Sequence, residues 1–536
     1  MSFLAVMHRC LCLDEIVRII AQELVAARRC ATAVALACCC KRFKDSVLDV
    51  LWGAQSDLFT LLRVFPGDIW RSGQCQVSIT TTTPAPSMLN YPIYKSCERL
   101  PTTQEWARLW KYARRMRRVE SSFLSSPSLQ ALSVLHFRAL TEPLFPNLQT
   151  VRLHYVIEGY LPYIPLFLST RTTTIGLRFF QLDHHKVTAA SMIAAFPKLC
   201  PNLHHVCLIG LPRDPMVTAA VSELVLNTNR NTLRHFSVDS PLTEEAREVI
   251  YKQSDLLTLR TVIDGPTVPP TMVLPNLTSI YVEHHHGCDW LQGFCGATLG
   301  KLTSVEISSK SDPTDNFLEA FESVALTTSI PVTLSTFEFR TRRPWRPTFH
   351  SLLPFTQLKK LTVESPCELG CSSTIDDDTI TNLARAMPKL ESLQLGNRPC
   401  RTPAGVTLKG LTALAHYCLH LRVLCVHFQV ASFCPVGTPS LVSAGEFTIP
   451  RGGCPLDDLE VGIIHVPQQF ARLVAFNLLQ IFPRLNGTEG RFGWEEVDWE
   501  IRGYKGLSRS SSKNRLFVLF RSGIDETSPA PENYPW

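Results

Sequence analysis

The stretch Pro388-Lys389-Leu390-Glu391-Ser392-Leu393-Gln394-Leu395 carries the pattern that decides the fold. Its order is leucine, two variable residues, an apolar residue, one variable residue and a second apolar residue, the alternation of a strand that buries one face. The same order returns at Leu148-x-x-Val151-x-Leu153, Leu203-x-x-Val206-x-Leu208, Leu233-x-x-Phe236-x-Val238, Leu277-x-x-Ile280-x-Val282 and Leu302-x-x-Val305-x-Ile307. It continues at Leu334-x-x-Phe337-x-Phe339, Leu358-x-x-Leu361-x-Val363, Leu421-x-x-Leu424-x-Val426 and Leu456-x-x-Leu459-x-Val461. Several copies are opened by Pro-Asn, as at Pro146-Asn147, Pro201-Asn202 and Pro275-Asn276.

Between the copies, residues 189–196, 219–226, 317–326, 379–387, 408–418 and 470–481 read as helices. A strand-plus-helix unit recurring every ~25 to 35 residues marks a leucine-rich solenoid, in which helices close the side away from the open strand face. The expected fold class is therefore α/β, with residues 121–485 forming an irregular leucine-rich-repeat solenoid of strand-plus-helix repeats. Irregularity is expected because each copy is degenerate and the gap from Leu233 to Leu277 is long.

The 536-residue chain is 45% hydrophobic and 19% charged, an ordinary balance for a folded chain of this length. Its net charge of +6 is spread along the sequence apart from Arg114, Arg115, Arg117 and Arg118, on an expected helix after Trp106. A solvated helix face is preferred there over a nucleic-acid footprint. The 19 cysteines are odd in number and mostly inside apolar runs such as Cys38-Cys39-Cys40, so free thiols fit better than a disulfide framework. Residues 1–13 hold a short apolar stretch broken by His8 and Arg9, and no run approaches about 18 uninterrupted apolar residues. Neither a signal peptide nor a membrane span is expected, which makes the cytoplasm or nucleus the default compartment. Asn276-Leu277-Thr278 and Asn486-Gly487-Thr488 are accordingly not read as glycosylation sites.

Near the N-terminus, Leu13, Ile16, Val17, Ile20 and Leu24 recur at helical spacing, with Asp14 and Glu15 in the first turn where the helix dipole favours them. After Arg28-Arg29 a second helix runs from Thr32 to Cys40, and a third covers Phe43, Val47, Val50, Leu51 and Trp52. Three short helices within about 40 residues cannot bury enough apolar surface to stand alone. They need a docking surface: either the rest of the chain, which would make them an end-cap, or a separate protein.

Leu11-Cys12-Leu13-Asp14-Glu15-Ile16-Val17, then Ile19-Ile20, Ala37-Cys38-Cys39-Cys40-Lys41-Arg42-Phe43 and Leu48-Asp49-Val50-Leu51-Trp52 resemble the F-box. Leu13 stands where that motif usually has the helix-initiating proline and Phe43 where it usually has tryptophan; both stay apolar. The resemblance implies docking on the Skp adaptor of a cullin ubiquitin ligase, with Leu13, Ile16, Ile20, Cys40 and Phe43 at the matching contact positions. It extends through Asp68-Ile69-Trp70, Arg99-Leu100-Pro101 and Glu105-Trp106-Ala107-Arg108, which is similar to F-box proteins of basidiomycete fungi carrying a leucine-rich-repeat-like region. The asparagine ladder of regular repeats is mostly absent, as in the F-box-associated class, and uneven curvature is expected.

The domain organisation that follows is an F-box-like module at 8–53, a connecting segment with loop and helix at 54–120, the solenoid at 121–485, and a cap and tail at 486–536. Residues 71–103 lose periodicity and read as a surface loop, although Gln76-Val77-Ser78-Ile79 could be a strand. Trp494, Trp499, Tyr504 and the apolar run 516–520 read as one or two capping strands, residues 508–513 as a solvated loop and residues 526–534 as a frayed tail.

No catalytic or metal site is expected. His284-His285-His286 with Cys288 contains zinc-compatible groups, but neighbouring residues at a strand end point to opposite faces and no second ligand pair stands at the usual spacing. Cys367 and Cys371 read as free thiols, and Asp376-Asp377-Asp378 as a helix start rather than a calcium loop. No Gly-x-Ser-x-Gly, phosphate-binding glycine loop or His-Glu-x-x-His occurs. The expected role is a non-enzymatic substrate receptor without cofactors. Its expected partners are a Skp-type adaptor, a cullin ligase and an unidentified target protein, with neither nucleic acid nor membrane; the alternative is an interaction scaffold unrelated to ubiquitin.

Overall fold

Leu390, Leu393 and Leu395 are at most 1% exposed, and the chain from Ser392 to Leu395 is a strand. The computed structural model describes residues 14–56, 58–75, 91–122, 129–139, 143–182, 184–228, 232–264, 272–285, 289–294, 297, 299–310, 317–327, 330–342, 348–365, 375–396, 405–426, 428, 454–460, 466, 468–489 and 494–505. Helices α1 (Asp14–Ala26), α2 (Cys30–Cys39) and α3 (Lys41–Gly53) lead directly into a two-residue strand, β1 (Ala54–Gln55). Then come α4 (Phe59–Leu62), an antiparallel pair β2 (Trp70–Cys75) and β3 (Tyr91–Cys97), α5 (Thr103–Ala113) and β4 (Arg118–Ser122).

Strands and helices alternate from there: α6 (Leu129–Ala139), β5 (Thr150–Val156), β6 (Thr174–Phe179), α7 (Lys186–Leu199), β7 (His205–Ile209), α8 (Pro215–Asn227), β8 (His235–Pro241), α9 (Glu244–Ile250), β9 (Thr258–Ile263), β10 (Ser279–His284) and β11 (Ser304–Ser309). The rest is α10 (Phe317–Leu326), α11 (Ile330–Thr333), β12 (Thr336–Thr341), β13 (Lys360–Glu364), α12 (Asp377–Ala386), β14 (Ser392–Leu395), α13 (Leu408–Tyr417), β15 (Val423–Val426), β16 (Asp458–Glu460), α14 (Gln468–Ile481), β17 (Gly487–Glu489) and α15 (Trp494–Tyr504). 3-10 segments at Glu158–Phe167, Asp289–Phe294 and Phe349–Leu352 stand where other units have an α-helix.

The fold class is α/β. Strands β1 and β4 to β17 form one 15-stranded sheet in chain order, and every neighbouring pair is parallel. Its register lines up Val119, Val151, Ile175, Val206, Phe236 and Leu259, and continues through Ile280, Val305, Phe337, Leu361, Leu393 and Leu424. All twelve are at most 3% exposed, so this row is the spine of the core. A second layer of helices covers it, packed in the same order: α7 on α8, α8 on α9, then α12 on α13, α13 on α14 and α14 on α15.

Every copy of the sequence motif coincides with a strand, Val461 of the last copy lying outside the described residues. Strands β6 and β9 carry disguised copies. In β6 the leading leucine is replaced by Thr172, fully buried with its hydroxyl donating to the Leu148 carbonyl at 3.0 Å. In β9, Leu256 and Leu259 keep the pattern but Thr261, 1% exposed, takes the last apolar place; this strand fills the long gap before Leu277.

The asparagines of the Pro-Asn pairs and the hydroxyl residues before several strands have a common task. Asn147 Nδ2 donates to the Arg114 carbonyl at 2.7 Å and Asn276 Nδ2 to that of Ser254 at 3.0 Å. Thr278, Thr303 and Ser335 hydroxyls donate to Leu257, Thr278 and Thr303 carbonyls at 2.9, 3.0 and 3.0 Å. Each of these side chains thereby binds a carbonyl of the unit before it; those of Leu257, Thr278 and Thr303 also accept backbone amides of the following strand.

Asp376 caps α12 by accepting from the Thr379 amide at 2.8 Å, so the acidic run does begin that helix. Asp377 reaches further: its carboxylate accepts from the Thr407 amide, the Thr407 hydroxyl and the Gly410 amide at 2.7, 2.6 and 2.9 Å, tying α13 to α12. A Cβ on Gly410 would lie 2.6 Å from Asp377 Oδ1, so this approach requires glycine.

Two expectations are corrected. The 71–103 stretch is not all loop, because β2 and β3 pair within it; Gln76–Ile79 lies outside the described residues. Residues 494–504 are helix rather than capping strand: Trp494, Val497 and Ile501 are fully buried at helical spacing, and Glu495 and Glu496 sit in the first turn. The run 516–520 also lies outside the described residues. The main core cluster runs unbroken from Leu58 to Ile501, so residues 58–119, read from sequence as a connecting segment, pack with the sheet as one body.

Candidate partner-docking site

The first three helices form a core of their own, separate from the main one: Val17, Ala21, Ala33, Ala37 and Val47, with Leu24, Leu36, Phe43 and Val50 packed around it. Small residues on α2 let α1 and α3 approach, and little apolar surface is consumed in doing so. Ile19 is left 56% exposed and Val34 50% exposed. Of the residues expected to meet an adaptor, Ile16 and Ile20 are half-buried on α1, and Cys40 is exposed at the α2–α3 junction. Phe43 is half-buried against the module's own core and Leu13 lies outside the described residues.

The module is also tied to the sheet, through residues that the reading of the sequence missed. Arg115, 15% exposed, forms ion pairs with Asp49 and with Asp45 at 2.6 Å, and donates to the Asp45 carbonyl at 3.1 Å. Trp52 packs on Tyr112 with ring centroids 4.6 Å apart, the Arg117 amide donates to the Gly53 carbonyl at 2.9 Å, and β1 pairs with β4. The available signal was the i, i+4 placement of Asp45 and Asp49 on one helix face. This corrects the arginine cluster, which lies mainly in the turn after α5 rather than on a helix. Arg115 is internal to the fold, Arg114 lies over Trp110 at 5.5 Å, and Arg118 pairs with Glu120 at 2.7 Å. The seam leaves a cleft of about 640 Å3 between Asp49, Trp106, Trp110, Lys111 and Arg138.

The open face of the sheet is polar and charged. Over β10 to β14, Arg340 bridges Glu306, Glu338 and Glu364 at 2.9, 2.8 and 3.3 Å, and Lys360 adds a second bond to Glu338 at 2.5 Å. Glu283, 10% exposed, is gripped by Arg213, by Lys310 at 2.5 Å and by His285 at 3.3 Å. Burial works to raise its carboxyl, but the bonds from His285 and Lys310 and the charges of Lys310 and Arg213 overcome it and hold it at about 2. The unfolded carboxyl titrates near 4.5 and takes its proton first, so Glu283 contributes stability above that pH that is lost as the pH falls towards 2. Melts between pH 5 and 3 are expected to lose less stability in Glu283→Gln than in wild type; equal slopes would rule this contribution out.

His284 turns into the core, 1% exposed and stacked on Phe317 at 6.0 Å, while His285 faces Glu283 on the other side; His286 and Cys288 lie outside the described residues, as do Cys367 and Cys371. Among the described residues no cluster of metal-ligating side chains occurs, and no helix is long and apolar enough to cross a membrane. No family model matches the chain, and no curated protein sequence matches it.

Proposed function

We propose that the chain is the substrate receptor of a Skp/cullin/F-box ubiquitin ligase, acting in the cytoplasm or nucleus. Helices α1 to α3, a divergent F-box, dock on a Skp-type adaptor. The parallel sheet and its helices, an irregular leucine-rich-repeat solenoid, hold a target protein on the open strand face. The receptor supplies no catalytic residue of its own. The observation that carries this reading is a small module with a private core that leaves Ile19 and Val34 half exposed, apolar surface of the kind an interface covers.

A pull-down with purified adaptor tests it. Phe43 is a poor site to mutate because it props the module's core. The informative variant is Ile16→Asp with Ile19→Asp, which puts charge on the outer side of α1. Capture is expected to fall at least tenfold, ~1.4 kcal/mol or more. Wild type binding no better than the variant sinks the reading.

A second reading, a scaffold unrelated to ubiquitin whose first helices serve as an end-cap, is favoured by the Arg115 ion pairs and the β1–β4 pairing. It predicts no adaptor capture at all.

A further inference from the structure

The core-facing rows of the sheet fix which residues lie on the open face. Since Val151, Ile175, Val206, Phe236 and Leu259 point inward, alternation puts Arg152, Arg178, His154, His205, His235 and Arg260 outward on β5 to β9. On β5 to β9 three arginines, Arg152, Arg178 and Arg260, stand against one acid, Asp239, whose carboxylate accepts from the Gly210 and Leu211 amides, the latter at 3.2 Å. Glu120 of β4 has Arg118 of its own strand at 2.7 Å, with Arg152 at 3.5 Å. Over β10 to β14, by contrast, Glu283, Glu306, Glu338 and Glu364 are matched by Lys310, Arg340, Lys360 and the incoming Arg213. The excess positive field of the face is therefore concentrated over β5 to β9.

Three features make this region a receptor for carboxylates. Arg178 is exposed, and Arg260 lies 3.9 Å over the ring of Tyr281, which presets the plane of its guanidinium. Arginine is the side chain that binds carboxylate through two parallel bonds. Strands lie about 4.8 Å apart and the register aligns Arg260 with Gly176, two residues short of Arg178, so β6 and β9 place the two arginines ~16 Å apart on a diagonal across the sheet. An extended segment with acids at alternate positions repeats its carboxylates every ~7 Å, and about six residues span the two arginines. On the two intervening strands, nearer their N-terminal ends, His205 and His235 stand with ring centroids 5.0 Å apart. Burial, His235 and Arg152 push His205 down to about 4, so it stands neutral near pH 7. Duplex DNA is matched less well: phosphate binding relies on many permanent cations, and strands β4 to β9 contain no lysine.

We propose that the open face of β5 to β9 docks an acidic, extended segment of a partner protein. This rests on the receptor reading and names the chemistry of its target. The test is fluorescence anisotropy of the full chain with a labelled peptide of alternating glutamate and serine. Its comparators are Arg152→Ala with Arg178→Ala, Lys252→Ala as a control for the loss of one exposed charge, and an oligothymidine of equal charge. Wild type and the Lys252 variant are expected to bind the peptide alike, and the double variant at least tenfold more weakly with an unchanged melting temperature. Absence of wild-type binding, equal binding by the double variant, or tighter binding of the oligothymidine overturns the proposal. No adaptor is present in this assay, so adaptor capture without peptide binding removes the acidic target and leaves the receptor reading standing. Peptide binding without adaptor capture does the reverse.

Discussion

Replacing Phe337 by alanine is expected to destabilise the fold by about 3–5 kcal/mol, the range for truncating a fully buried phenylalanine. Phe337 sits in the core row of β12 with no exposed surface and packs on Phe321 of α10 at 5.0 Å between centroids. Phe321 in turn stacks on Phe355 at 5.5 Å, ahead of β13, so one ring joins a strand and a helix to the next unit. Truncation leaves a cavity that these rings cannot close without leaving their own contacts, and it forfeits an aromatic pairing of ~1 kcal/mol as part of that loss. Urea unfolding followed by circular dichroism measures it, as a lower midpoint. A loss under about 1 kcal/mol would mean that this aromatic group does not hold α10 to the sheet.

The second large effect is expected from removing residues 1–53. The deletion strips Asp45 and Asp49 from Arg115 and Trp52 from Tyr112, and frees the Arg117 amide. Breaking a well-buried ion pair costs about 3–5 kcal/mol, but Asp45 is 73% and Asp49 32% exposed, so water returns part of that cost. With the lost ring contact, about 2–4 kcal/mol is expected at the sheet's first edge. Arg115→Ala should reproduce about half of it. A melting temperature unchanged by the deletion would show that α3 is not needed to close that edge. The residues that attach the module, Asp45, Asp49 and Trp52, are not those proposed to meet an adaptor, Leu13, Ile16, Ile20, Cys40 and Phe43. A fall in stability therefore leaves the docking question open to the pull-down alone.

How much was legible depended on whether burial followed a local period. The six helices expected between the strands are present, and the acidic run Asp376-Asp377-Asp378 opens its helix, because both signals reside within one turn of chain. The strands β6 and β9 escaped because a buried threonine, once its hydroxyl has a carbonyl to serve or its methyl a core to fill, occupies a leucine position without looking apolar. Among the expected contact residues, sequence periodicity put Ile16 and Ile20 on one helix face and Phe43 on the face of Val47 and Val50, the face that packs into the module's own core.

The sequence by itself determined that apolar rows would bury one face of successive strands and that helices would separate many of them, since side-chain alternation and helical spacing are properties of a few consecutive residues. Tertiary structure alone decided that Arg115 would clamp Asp45 and Asp49, that Glu283 would gather Arg213 and Lys310, and that β2 would pair with β3. It also decided that the carboxylates of β10 to β14 would be neutralised while the arginines of β5 to β9 were left in excess. Charge pairs between distant segments depend on which strands become neighbours, and that order is settled by packing of the whole chain rather than by any local pattern.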